Sequence, residues 1–154
     1  MTYKIAGLPK AQFTPLFALD DAELATHQAL RVRAQGAGYP CRVSLEEAEA
    51  GESLLLINHV SHDVAGPFRT SYAIYVRECA QTPPAFIDAV PPMLDKRTLG
   101  LRGFDGQGML RGAVLAMPGE ADARIRALFE APEIASIHAH NAAHGCFIAR
   151  VDRS

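Results

Sequence analysis

The chain of 154 residues carries 15 Lys+Arg against 17 Asp+Glu, a formal charge of −2 that is divided evenly between its halves. That length is one domain's worth of chain, and 49% hydrophobic residues provide a single core and exclude a disordered polymer. The charge balance announces no basic face able to hold a phosphate backbone, so no nucleic-acid partner is expected.

Tyr3 to Leu8 is predicted as a strand closed by Pro9. Asp20 with Glu23 three residues on makes a capping-box pattern that opens a short helix through about Ala29. Gly36 to Pro40 is a turn leading into Cys41-Arg42-Val43, and Ser44 with Glu47 makes a second capping box for one helical turn stopped by Gly51. Ser53 to Val60 is a strand, Ser61 to Thr70 a loop, and Ser71 to Glu78 another strand. Four prolines (Pro83, Pro84, Pro91 and Pro92) make the stretch to Arg97 an irregular crossing. Leu99 to Phe104 and Met109 to Ala116 flank Asp105-Gly106-Gln107-Gly108, a hairpin signal. After Pro118-Gly119, the spacing of Ala121, Ile125, Leu128 and Phe129 predicts a helix that Pro132 ends. Ile134 to His140 and Cys146 to Val151 close the chain as two strands. Strands dominate without regular helix alternation, so the expected fold is α+β: a mainly antiparallel sheet with two or three short helices in a single domain over 1–154.

The N-terminal residues show no apolar run with a cleavage site, and apolar runs such as Leu54-Leu55-Leu56-Ile57 fall far short of the ~20 residues of a membrane-spanning helix. Cys41, Cys79 and Cys146 are odd in number and form no CxxC pair, which fits reduced thiols. A cytoplasmic protein with no membrane partner is expected.

Chemistry concentrates in Ile137-His138-Ala139-His140-Asn141-Ala142-Ala143-His144-Gly145-Cys146-Phe147. With Asn141 to Gly145 as the loop, His140 would oppose Cys146, Ala139 would oppose Phe147 and Ile137 would oppose Ala149. Strand alternation then gives one apolar face of Ile137, Ala139, Phe147, Ala149 and Val151, and a second face of His138, His140, Cys146, Ile148 and Arg150. Facing side chains are ~4.5–5.5 Å apart at Cβ, close enough for an imidazole to meet a thiol. Three readings stay open on these residues. Cys146 is a nucleophile with His140 as its base. Alternatively His138 and His140 bind a zinc-type metal, with Cys146, His144 or His59 as third ligand. In the third, the histidines bond backbone groups and the cysteine merely packs, the commonest role for both residue types.

Other residues extend the list. Cys41-Arg42 follows a rigid Gly-Tyr-Pro turn, a setting that presents a thiol and a guanidinium together. Arg42, Arg69, His138 and Asn141 are candidate substrate-binding residues, and Arg102 is a further candidate clamp for a carboxylate or phosphate. His59 and His62 with Asp63 form a weak metal signal at a strand end. Cys79 has no assigned role. Phosphate-loop, serine-elbow and zinc-protease helix motifs are all missing, as is tryptophan.

Gly38-Tyr39-Pro40-Cys41-Arg42, Ser44-Leu45-Glu46, Pro67-Phe68-Arg69, Ile74-Tyr75-Val76-Arg77, His138-Ala139-His140-Asn141-Ala142 and Gly145-Cys146-Phe147 together resemble the bacterial domain-of-unknown-function family 1203, over about residues 3–153. Phe68 stands where the family pattern has tyrosine. The resemblance implies a stand-alone bacterial protein and carries over no activity, cofactor or catalytic residue. Function is therefore read from the residues: a small-molecule site with Cys/His chemistry at the C-terminal hairpin, or alternatively a zinc-type metal-binding protein or a non-catalytic ligand- or protein-binding module. Oligomeric state is not encoded in any of these signals.

Overall fold

Nine strands and three short helices build two sheets in the computed structural model, which describes all residues from Met1 to Ser154. The strands are β1 (Tyr3–Ala6), β2 (Ala29–Arg33), β3 (Ser53–His62), β4 (Thr70–Arg77), β5 (Phe86–Ile87), β6 (Leu99–Phe104), β7 (Leu110–Ala116), β8 (Ser136–Asn141) and β9 (Phe147–Arg153). The helices are α1 (Asp21–Thr26), α2 (Pro92–Asp95) and α3 (Ala121–Phe129). The larger sheet runs β5-β1-β9-β8-β6-β7 and the smaller β2-β3-β4, every ladder between them antiparallel. The α+β, mainly antiparallel expectation holds. No helix is long and apolar enough to cross a membrane.

The larger sheet buries one face under α3, and the smaller buries one under α1, Phe13 and the 41–43 segment. On the larger sheet, Leu101, Ile137, Ala139 and Val151 pack against Ala121, Ile125 and Phe129 of α3, the stripe read from helical spacing. On the smaller sheet, Leu55, Ile57, Ile74 and Val76 pack on Phe13, Leu24, Cys41 and Val43. The Asp20–Glu23 capping box forms as read: Asp20 Oδ1 accepts from the Glu23 amide at 2.8 Å, and Glu23 Oε2 from the Asp20 amide at 2.9 Å. The helix stops earlier than expected, at Thr26. Gln28 turns the chain at φ +55° and Ala29 already pairs as β2, an edge strand too exposed to show a two-residue period.

The second capping box does not form. Leu45 takes φ +55°, its amide bonds the Cys41 carbonyl at 3.0 Å and the Cys41 amide bonds the Glu46 carbonyl at 2.9 Å. Residues 41–46 are thus a tight turn, and the Glu47 carboxylate pairs with Arg97 instead of capping. The proline-rich crossing contributes β5 and α2, so it is more ordered than its composition suggested.

Segment 40–43 joins the two sheets. Cys41 bridges Tyr75 in parallel at the free edge of β4, and the Leu8 amide bonds the Arg42 carbonyl at 2.8 Å. The backbone passes so close here that a Cβ on Gly7 would lie 1.9 Å from the Val43 carbonyl oxygen. Backbone cannot swing aside as a side chain can. Gly7→Ala is therefore expected to cost on the order of 2–3 kcal/mol in urea unfolding, and an unchanged midpoint would show that the two segments do not pack this way.

Candidate functional site

The face of the larger sheet turned away from α3 looks toward the ends of β3 and β4, and two pockets open between the sheets. The larger has a volume of about 510 Å³ and is walled by Arg42, Tyr72, Tyr75, Arg97, Asn141, His144 and Cys146, among others. The smaller, about 260 Å³, is walled by Phe68, Tyr72, Arg102, Phe104, His138 and His140, with Arg69 at its rim. Tyr72 belongs to both and divides them. Its hydroxyl accepts from Arg102 Nη1 at 2.9 Å and its ring meets His140 edge-on with centroids 5.1 Å apart.

The hairpin register differs from the expected one, and this separates the groups that the sequence had placed together. The Asn141 amide bonds the Cys146 carbonyl at 2.9 Å, so the loop is only Ala142 to Gly145. Asn141 shapes it, its Oδ1 accepting from the Ala143 and His144 amides at 3.0 and 3.1 Å, and Gly145 completes it at φ +76°. His140 therefore opposes Phe147, and Ile137 opposes Val151. Between them Ile148 is a bulge residue, after which Ala149 faces Ala139. The shift exchanges two side chains. Phe147 joins the histidine face, 5.4 Å from His138 and 6.0 Å from His140 by ring centroids, while Ile148 enters the core beneath α3.

Cys146 consequently opens into the larger pocket and His140 into the smaller, and no Cys146–His140 pair exists to make His140 the base for this thiol. The sulfur's partner is Arg42. This side chain is 1% exposed; it donates from Nε to the Phe147 carbonyl at 2.8 Å, from Nη1 to the Pro40 carbonyl at 2.6 Å and from Nη2 to Cys146 Sγ at 3.1 Å. No carboxylate pairs with it, and burial lowers its pKa from the usual arginine value, opposed by the neighbouring Cys146. Of the histidines, His144 shares the cleft with Cys146; it is exposed on the loop, its Nδ1 3.3 Å from Asn141 Oδ1. Asn141 serves the loop geometry, and Arg69 is held by Asp63 at 3.0 Å on the surface.

The smaller pocket contains an unusual concentration of buried imidazole. His138 and His140 are 1% and 2% exposed. Burial pushes His138 down to about 3, helped by the nearby His62, Arg150, His140 and Arg102, and pushes His140 down to about 4. Both are neutral near pH 7. His140 Nδ1 lies 3.0 Å from the Gly145 carbonyl, which only accepts, so the ring proton is on Nδ1 and Nε2 presents a lone pair. His138 Nε2 is buried without any partner. His62 packs edge-on against His138 at 4.9 Å and bonds the Gly108 carbonyl through Nε2 at 2.9 Å. The Asp105–Gly108 turn thus positions His62, and Asp105 braces that turn by accepting from the Gln107 and Met109 amides at 2.9 Å each.

The zinc reading finds no support in this arrangement. The His138 and His140 rings stack at 25° with centroids 6.4 Å apart, and no group of three His, Cys, Asp or Glu side chains is placed to hold a metal ion. Cys41 is buried structure, its sulfur accepting from the Arg77 amide at 3.3 Å. Exposed Cys79 donates to Glu52 Oε1 at 2.8 Å, which raises its pKa. His59 sits against Phe13 and Phe147, with its pKa lowered by burial.

The segments quoted for the family resemblance meet here. Gly38 to Arg42 touches Cys146-Phe147 through the Arg42 side chain, and Pro67-Phe68-Arg69 faces His138 and His140 across the smaller pocket. The family model described as protein of unknown function (DUF1203) matches residues 38–153, which is 116 of the 154 residues. The chain belongs to the DUF1203 family. The match is narrower than the span of the resemblance: β1, α1 and β2 lie outside it, while every residue walling the two pockets lies within it. No curated protein and no solved structure matches the chain. Tyr72 and Arg97 carry no signal in the sequence, each standing in a run of ordinary strand or crossing residues, and Tyr75 enters only through the Ile74-Tyr75-Val76-Arg77 segment of the family resemblance.

Proposed function

We propose that this DUF1203 protein binds a small molecule in the larger cleft and acts on it through the Cys146 thiol. Carrying that reading is one observation: a guanidinium with no carboxylate partner lies 3.1 Å from the sulfur at the wall of an open cleft. A charged donor at this distance holds the sulfur in place at the cleft wall, where a bound ligand can meet it as a nucleophile. Arg42 is a positioning residue here, because its three donor groups already hold the Phe147 and Pro40 carbonyls and Cys146 itself. Reaction with an electrophilic carbon forms one S–C bond; the electron pair of the broken bond leaves with the displaced group, and the thiol proton passes to His144 or to water in the open cleft.

Cys79 supplies an internal reference, being the more exposed thiol. In iodoacetamide labelling at pH 7.5, resolved by mass spectrometry, sulfur displaces iodide. Cys146 is expected to label roughly tenfold faster than Cys79 despite its lower exposure. Labelling in order of exposure, Cys79 first, would remove Cys146 as the reacting group.

A further inference from the structure

We propose that the smaller pocket is a separate binding site for a single-ring aromatic carboxylate bearing a hydrogen-bond donor on its ring. Half of its ten lining residues present π surfaces: Phe68 and Phe104 lie edge to face with centroids 6.3 Å apart, joined by Tyr72 and the two imidazoles. A volume of about 260 Å³ is below that of drug-sized sites and suits one ring.

The charge in the pocket comes from Arg102. Eight of the twelve arginines (Arg31, Arg69, Arg77, Arg97, Arg111, Arg124, Arg126 and Arg150) carry a carboxylate partner. Three others bond backbone carbonyls: Arg33, Arg42 and Arg153. Arg102 alone has a single hydroxyl, that of Tyr72, as its partner. Most of its donor fork is open toward the pocket, in the geometry that suits a planar carboxylate. Arg69 at the rim is already neutralised by Asp63, so the attraction centres on Arg102.

Beside this cation, on the neighbouring strand β8, stand two uncharged imidazoles. His140 offers the Nε2 lone pair that its bond to Gly145 leaves bare, and His138 Nε2 is a buried polar atom with nothing to bond. An unsatisfied buried group is unfavourable and a ligand O–H would relieve it. An aromatic acid with a ring hydroxyl answers all three features: carboxylate to Arg102, ring to the π walls, hydroxyl to the imidazoles.

The test is a titration with 4-hydroxybenzoate followed through the histidine ring 1H–13C signals, with benzoate, phenol and cyclohexanecarboxylate alongside. The hydroxy acid is expected to saturate shifts at His138 and His140 while exposed His27 stays still. Phenol and cyclohexanecarboxylate should bind at least about tenfold more weakly, lacking the carboxylate and the aromatic character of the ring respectively. Arg102→Met should also weaken the hydroxy acid at least about tenfold. Phe68→Ala, on an exposed loop, removes a wall without touching the core and should weaken it in the same sense. No saturable shift with either aromatic acid, or Arg102→Met and Phe68→Ala both binding like the unaltered protein, overturns the proposal. Cys146 takes no part in this measurement, so its outcome and that of the labelling experiment are independent.

Discussion

Arg42→Met is expected to lower the unfolding free energy by about 3 kcal/mol, a large share of the 5–15 kcal/mol typical of a domain. Two effects oppose each other. Removing a buried charge relieves its desolvation, and exchanging a whole buried ion pair for apolar groups is often neutral. Here the partners cannot be exchanged, because they are the backbone carbonyls of Phe147 and Pro40. Both remain in the interior without a donor, at roughly 1–3 kcal/mol each, so the loss outweighs the relief. Arg42 also ties segment 40–43 at the edge of the smaller sheet to the β8–β9 hairpin of the larger, a link that methionine cannot make. Arg42→Lys retains the charge but lacks the planar fork, and an intermediate loss of about 1–2 kcal/mol is expected. Urea unfolding followed by circular dichroism measures both variants. A methionine variant as stable as the original would mean that those carbonyls find other donors and that Arg42 does not join the sheets.

Acid is expected to destabilise the protein well before its carboxylates titrate. His138 and His140 titrate at about 3 and about 4 in the folded chain, below the ordinary imidazole value of about 6.5 that they regain on unfolding. The unfolded chain therefore takes up protons first, so the stabilising contribution is complete above about pH 6.5 and is lost as pH falls through 4 toward 3. Each group contributes a slope of at most about 1.4 kcal/mol per pH unit over the two units from 6.5 to 4.5, so moving from pH 7 to 4.5 should remove about 5 kcal/mol from the pair. His59, also held below its usual range by burial, acts in the same direction. Urea midpoints across this range give the slope directly. His138→Leu should flatten it by about half, and a variant that retains the full slope would show that His138 does not stay neutral in the fold.

Much of the architecture was legible from local signals. The α3 stripe, the Asp20–Glu23 cap, the Asp105–Gly108 turn and the long strands all depend on residues within a few positions of one another, whose periodicity or turn chemistry acts in any context. Edge elements were harder. β2 is exposed along most of its length and so carries no alternating pattern, and the Ser44–Glu47 spacing that resembles a cap was overridden once Glu47 found Arg97. The chemical density of the hairpin is plain from its residues, but the expected register differs from the observed one by one residue at the tip and by two beyond the Ile148 bulge.

The sequence by itself determined the fold class, the order of the main strands and the presence of imidazole and thiol in one hairpin, because those properties follow from side-chain periodicity and composition. Which of these groups meet was decided only by the tertiary structure. Strand side chains alternate, so a loop shorter by one residue and the bulge at Ile148 sufficed to send Cys146 away from the histidines and Phe147 toward them. The partner that Cys146 gained instead, Arg42, lies 104 positions away in the chain. Contacts at that separation are set by how two sheets dock, which no local pattern records.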